Sequence, residues 1–219
     1  MTRNDLGHLA LAICLIAIAG YVDAIGFLKL GHLFVSFMSG NSTQFSVAAS
    51  QRATSEAERA GILVLLFVVG VVLGRLCARW AGGWRRPAVL VLDTALLALA
   101  VFLASSPAAI VAMVLAMGVQ NEALHKVGSA KTAVTYVTGT LVSFGEELAD
   151  AFSEPGKRWA WVPHLLLWIG LVIGAAIGAR IYGRLGVHAL QWPAAVLLLL
   201  TAITAGFALF GTRSKVVDG

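Results

Sequence analysis

Six apolar runs dominate the chain, at about 6–28, 61–78, 87–104, 108–124, 163–181 and 192–210, and none holds more than one charged residue. Each approaches the roughly 20 apolar residues needed to cross a bilayer. Soluble domains carry about 25% charged residues; here 12% are charged and 59% hydrophobic, which leaves too little polar surface to cover a globule. The pattern predicts one all-α transmembrane domain over residues 1–219, with the lipid bilayer as its surroundings. The net charge of +5 resides in short basic clusters between the runs, so it reads as a topology signal and not as a nucleic-acid face. The first run is expected to be a retained span, without a cleavage site behind it. Cys14 and Cys77 fall inside apolar runs, and no metal or cofactor spacing is present.

Two weaker runs, 34–49 and 132–152, are rich in Ser, Thr and Gly. Such residues are costly against lipid but tolerable against protein or water. Counting both predicts eight helices; the alternative is six spans plus two re-entrant polar helices. The chain also repeats itself. Gly20-Tyr21-Val22-Asp23-Ala24 aligns with Gly118-Val119-Gln120-Asn121-Glu122, and Val35-Ser36-Phe37-Met38-Ser39-Gly40-Asn41 with Val134-Thr135-Tyr136-Val137-Thr138-Gly139-Thr140. Gly70 and Gly74 align with Gly170 and Gly174, and Pro87-Ala88 with Pro193-Ala194. All keep one order at a spacing of about 100 residues, which predicts two homologous halves, 6–104 and 108–210. If the turns carrying Arg75, Arg79, Arg85 and Arg86 and carrying Arg180 and Arg184 are both cytoplasmic, each half crosses an even number of times. That predicts a parallel repeat of about four helices per half, with both termini outside.

Asp23 lies deep in the first run, where a carboxylate costs about 2.5–3.5 kcal/mol on insertion scales. A parallel repeat brings Gln120, Asn121 and Glu122 to nearly the same depth. With Ser39, Asn41 and Thr138 from the polar helices, these residues are the candidate substrate-binding set, Asp23 being the cation- or proton-binding group. The structural alternative is a hydrogen-bond network locking the halves together. Arg75 and Asp93, on consecutive helices, are expected to form an intramembrane ion pair. The stripes Gly70/Gly74 and Gly170/Gly174/Gly178 read as close-packing faces, within the monomer or across a homodimer. His32 and His125 accompany Lys29 and Lys126 near helix ends and read as interfacial. Glu146, Glu147, Asp150 and Glu154 read as a solvated helix end.

Gly20-Tyr21-Val22-Asp23-Ala24, Phe27-Leu28, Gly31, Phe34-Val35 and Met38-Ser39-Gly40-Asn41 resemble the leading motif of the YoaK family, or DUF1275. Gly118-Val119-Gln120-Asn121 and Thr138-Gly139 resemble its second motif. Ser39 stands where that family usually has Thr, and Glu122 where it has Ala. The resemblance covers the whole chain in order. It implies a multi-pass protein of the bacterial inner membrane, usually drawn with about six spans, and carries no biochemical role.

Repeated halves with polar interior helices predict a small-solute transporter or channel working by alternating access around a site shared by the halves. A membrane scaffold or partner-binding subunit is the second class. An intramembrane enzyme is not expected: no His-Glu-x-x-His is present, and Ser39 has no His at comparable depth to act as base.

Overall fold

The computed structural model describes residues 3–124, 137–154, 156 and 158–217. His125, Lys126 and the segment 134–136 of the aligned motif lie outside the described residues. Eight α-helices account for nearly all of the described chain: α1 (Arg3–Leu30), α2 (Met38–Ser50), α3 (Thr54–Trp80), α4 (Arg85–Phe102), α5 (Ala108–Gln120), α6 (Val137–Ser153), α7 (Val162–Leu185) and α8 (Gln191–Val217). Among the described residues three segments are long and apolar enough to cross a membrane: Leu6–Leu30, Thr54–Trp80 and Val162–Leu209, the last spanning α7 and most of α8.

Two seams built on glycine hold the bundle together. On α1 and α7, a Cβ at Gly174 would collide with the carbonyl of Ala17, one at Gly178 with that of Tyr21, and one at Gly20 with that of Leu171. On α3 and α5, a Cβ at Gly70 would collide with the carbonyl of Leu115 and one at Gly118 with that of Phe67, while Gly74 would place it 3.0 Å from Val119. Omitting the side chain lets two backbones touch, which is how helices associate where lipid removes the hydrophobic drive. The glycine stripes thereby pack helix against helix within one chain. Around the seams lies a core of aliphatic side chains in which Leu15, Ile25, Leu90, Leu97, Met113 and Leu197 are fully buried.

The contact register fixes helix direction. Ile13, Ala17 and Tyr21 meet Gly170, Gly174 and Gly178 in that order, so α1 and α7 run parallel. Leu115 and Val119 meet Gly70 and Gly74, so α3 and α5 also run parallel. Lys29 and Leu30 at the end of α1 share one surface hollow with Arg59 and Ile62 from the first turns of α3 and with Pro107 and Ile110 at the start of α5. Thus α1 opposes both α3 and α5. The sequence-aligned helices α1 and α5 run in opposite directions, as do α3 and α7, which overturns the expected parallel repeat. Its premise fails for a physical reason: the Arg79–Arg86 turn and the Arg180–Arg184 turn fall at opposite ends of the bundle, so they cannot both be cytoplasmic.

Helix α2 does not traverse the bundle. Its 13 residues rise about 20 Å, short of a hydrocarbon core of about 30 Å. The chain leaves α1 through left-handed Gly31 and His32, turns back, and descends to Asp23, about 10 Å before the end of α1. It then reverses into α2, whose Gln44 Nε2 donates to the His32 carbonyl at 2.7 Å, level with the point of entry. Entry and exit are therefore at the same end, and α2 packs chiefly on α3. Helix α2 is thus folded back, and α6 pairs with the start of α7 through Phe144 and Trp161, ring centroids 6.1 Å apart.

Candidate functional site

The loop 31–37 is built around Asp23. One carboxylate oxygen accepts the backbone N–H groups of Val35 and Ser36, both at 2.8 Å, and the other accepts the Ser36 hydroxyl at 2.9 Å. Both oxygens are thus engaged by the chain itself. A descending, non-helical segment has backbone groups that lipid cannot satisfy, and Asp23 supplies the acceptors. Asn41, wholly buried, completes the clamp from α2: its Oδ1 accepts from Phe34 N–H at 2.9 Å, and its Nδ2 donates to the Phe34 carbonyl at 2.7 Å. Gly26 makes room for the returning chain, for a Cβ there would lie 2.6 Å from Val35. Asp23 and Asn41 together fix the loop. This bonding matches the hydrogen-bond network of the structural reading, and it engages both oxygens of Asp23, the group expected to bind a cation or a proton.

The loop forms one wall of a cavity of about 560 Å³. Phe27, Phe34 and Phe37 make an aromatic side, with successive ring centroids 5.0 and 5.2 Å apart. Small residues line it too: Gly20 and Ala24 on α1, and Ala175 and Ala179 on α7. Asp23, Ser36 and Thr138 contribute the few polar groups, the last from the first turn of α6. The starts of both polar helices therefore reach this cavity, α2 through Phe37 and α6 through Val137 and Thr138. Such a space suits a largely apolar molecule with a small polar group, held by shape and ring contacts.

The other candidate residues lie elsewhere. Ser39 is exposed on α2. Gln120 is fully buried and donates to the Leu15 carbonyl at 3.4 Å, tying α5 to α1. Asn121 donates to the Met117 carbonyl at 2.9 Å, within its own helix turn. None of Gln120, Asn121 and Glu122 lines the cavity. The shared depth expected for them required parallel halves; with α1 and α5 opposed, equivalent positions fall on opposite sides of the middle.

Arg75 does not pair with Asp93. Its Nη1 lies 3.4 Å from Glu122 Oε2, with Arg85 Nη2 at 3.9 Å from the same oxygen. The reason is the seam: Arg75 follows Gly74, which faces Val119 on α5, so the guanidinium is delivered to α5. Asp93 points into the core instead, with 0% exposure and no hydrogen-bond partner for either oxygen among the described residues. The cavity stripe Leu171–Ala175–Ala179 had one sequence signal: it follows the glycine stripe Gly170–Gly174–Gly178 by one residue, on the neighbouring face of α7.

A described chain that is all helical, with apolar spanning segments and a short polar helix folded back against α3, defines an integral membrane protein. The chain belongs to the family described as protein of unknown function (DUF1275), whose model matches residues 11–204. It is 35% identical over 208 residues to the UPF0700 transmembrane protein RA0705 of Rhizobium meliloti (strain 1021), covering 91% of this chain and 87% of that relative. It is 28% identical over 224 aligned positions to the UPF0700 transmembrane protein YoaK of Bacillus subtilis (strain 168), covering 96% of this chain and 97% of that one. No solved structure matches.

Proposed function

We propose that this is a multi-pass protein of the bacterial inner membrane that moves a small solute through an inverted repeat of six spans and two re-entrant helices. The observation that carries the reading is the cavity lined by α1, α7 and the starts of both polar helices. Interrupted helices with their ends at mid-membrane are a recurrent way to build solute sites in transporters with inverted repeats. Support for the repeat comes from the seams. Gly118 against Phe67 has its counterpart in Gly20 against Leu171, and Gly70 against Leu115 in Gly174 against Ala17. Gly74 against Val119 likewise corresponds to Gly178 against Tyr21. This register pairs Gly70 with Gly174, one helical turn along from the alignment of Gly70 with Gly170. The solute in this reading has an apolar or aromatic body resting on Phe27, Phe34 and Phe37, and a polar group facing Ser36 and Thr138. Asp23 holds the wall.

A second reading, a scaffold without transport, is favoured by the mutual bonding of Asp23, Asn41 and the loop. The two are separated by filling the cavity without touching that network. Purified protein is melted against panels of metabolites, drugs and cations, with Ala175→Phe beside the wild type. A ligand at a hundredfold excess over Kd stabilises the folded state by about 2.7 kcal/mol. A ligand-induced rise in Tm that Ala175→Phe abolishes, in a variant that itself melts cooperatively, supports a solute site. A rise that survives the substitution removes this cavity from the reading, and no rise with any ligand favours the scaffold.

A further inference from the structure

The two seams share a register but differ in what stands beside them. Four residues beyond Gly20 on α1 is Ala24, and immediately after Gly178 on α7 is Ala179; both line the cavity. The same steps in the other seam lead from Gly118 to Glu122 and from Gly74 to Arg75. Where one seam opens between two methyl groups, the other is bridged by a carboxylate and a guanidinium 3.4 Å apart. The next position inward repeats the contrast, Ala175 on the cavity side and Val71 on the other. Glu122 is nearly covered, its side chain 8% exposed, while that of Arg75 is 48% exposed and lies over it.

We propose that Arg75 and Glu122 form a latch closing a second chamber, equivalent to the cavity and located toward the opposite end of the bundle. The inference rests on the transport reading and on the inverted repeat. In the structure the first chamber is open, and the pair stands at the equivalent place in the other seam, with Arg85 as a further cation at the same oxygen. Breaking the pair leaves the second seam with the opening of the first, and the solute path gains access at the other end. Inverted repeats exchange conformations in this way: each half adopts the shape the other has vacated. An ion pair suits the task because partial exposure keeps its net worth small, so the closed state is held without being locked.

The test reads accessibility and uses no solute. In a background with Cys14 and Cys77 replaced by alanine, Ala175→Cys and Val71→Cys report on the two chambers. Intact and inverted membrane vesicles are exposed to a membrane-impermeant maleimide. With the pair present, Ala175→Cys is labelled from one side and Val71→Cys is protected. Adding Glu122→Gln or Arg75→Gln raises Val71→Cys labelling by up to about fivefold, the most a pair of this exposure imposes on a two-state equilibrium. The label arrives from the side opposite to that reaching Ala175→Cys. The swap Arg75→Glu with Glu122→Arg restores protection and guards against a variant that merely loses its fold. Labelling of Val71→Cys that is indifferent to the pair, in variants that elute and melt as wild type does, overturns the latch. Labelling of both reporters from one side overturns the inverted arrangement. A chamber that opens on release of the pair in a protein that binds no solute retains the latch and removes the transport reading alone.

Discussion

The α1–α7 and α3–α5 seams are closed by the same device, glycine against backbone carbonyl, yet one borders a cavity and the other an ion pair. Close approach of two helices is therefore separable from what their flanking faces do. Glycine sets the spacing, and the residue one position after each glycine decides whether the flank is hollow. Ala175 and Ala179 line a hollow; Val71 and Arg75 stand at the corresponding positions of the other seam.

The largest effect should come from the seams. Gly174→Ala forces a Cβ onto the Ala17 carbonyl, with rigid backbone on both sides. It is expected to destabilise by about 3 kcal/mol or more and to lower the yield of monodisperse protein in size-exclusion chromatography. Gly170→Ala on the same helix, where the Cβ would lie 3.3 Å from Ile13 Cγ2, should cost under about 1 kcal/mol. Equal losses would mean that spacing is set elsewhere. Next in size is Asp23→Ala, which strands two backbone N–H groups and one hydroxyl; a loss of about 2–3 kcal/mol in thermal or denaturant unfolding is expected. Asn121→Ala, at the aligned position one residue beyond α5, tests whether the second half is anchored as strongly. Arg75→Gln should change stability by about 1 kcal/mol at most, because the guanidinium is half exposed. Cysteine reporters at Gly83 and Gly186, in the same cysteine-free background, should be modified from opposite faces of the membrane. Modification from one face would restore the parallel arrangement.

Much of the helix content was legible in the sequence because apolar runs bounded by polar turns depend only on local composition. The glycine stripes were legible for the same reason, since spacing of four residues puts them on one helix face. Direction was not. It depends on whether a polar stretch crosses or folds back, and that is decided by tertiary hydrogen bonds such as Asp23 to Val35 and Asn41 to Phe34. Composition marked Asp23 as a costly residue needing partners, and left open whether those partners were a solute or the chain. The Arg75–Asp93 pairing failed because depth alone was matched. Helix azimuth, set by Gly74 against Val119, sends Arg75 toward α5. The aromatic wall was visible only in part, since Phe27 and Phe34 belong to the family motif but their convergence with Phe37 needs the reversed loop.

The returning loop also bears on how the chain is assembled. A segment that enters and leaves at one face, and whose polar backbone is satisfied by a carboxylate on α1, has no stable place in lipid until α1 is already there. Helix α2 in turn rests chiefly on α3, which is synthesised after it. Docking of residues 31–53 is therefore expected to await α3, and a nascent chain arrested before α3 should expose them to proteases that the finished protein resists.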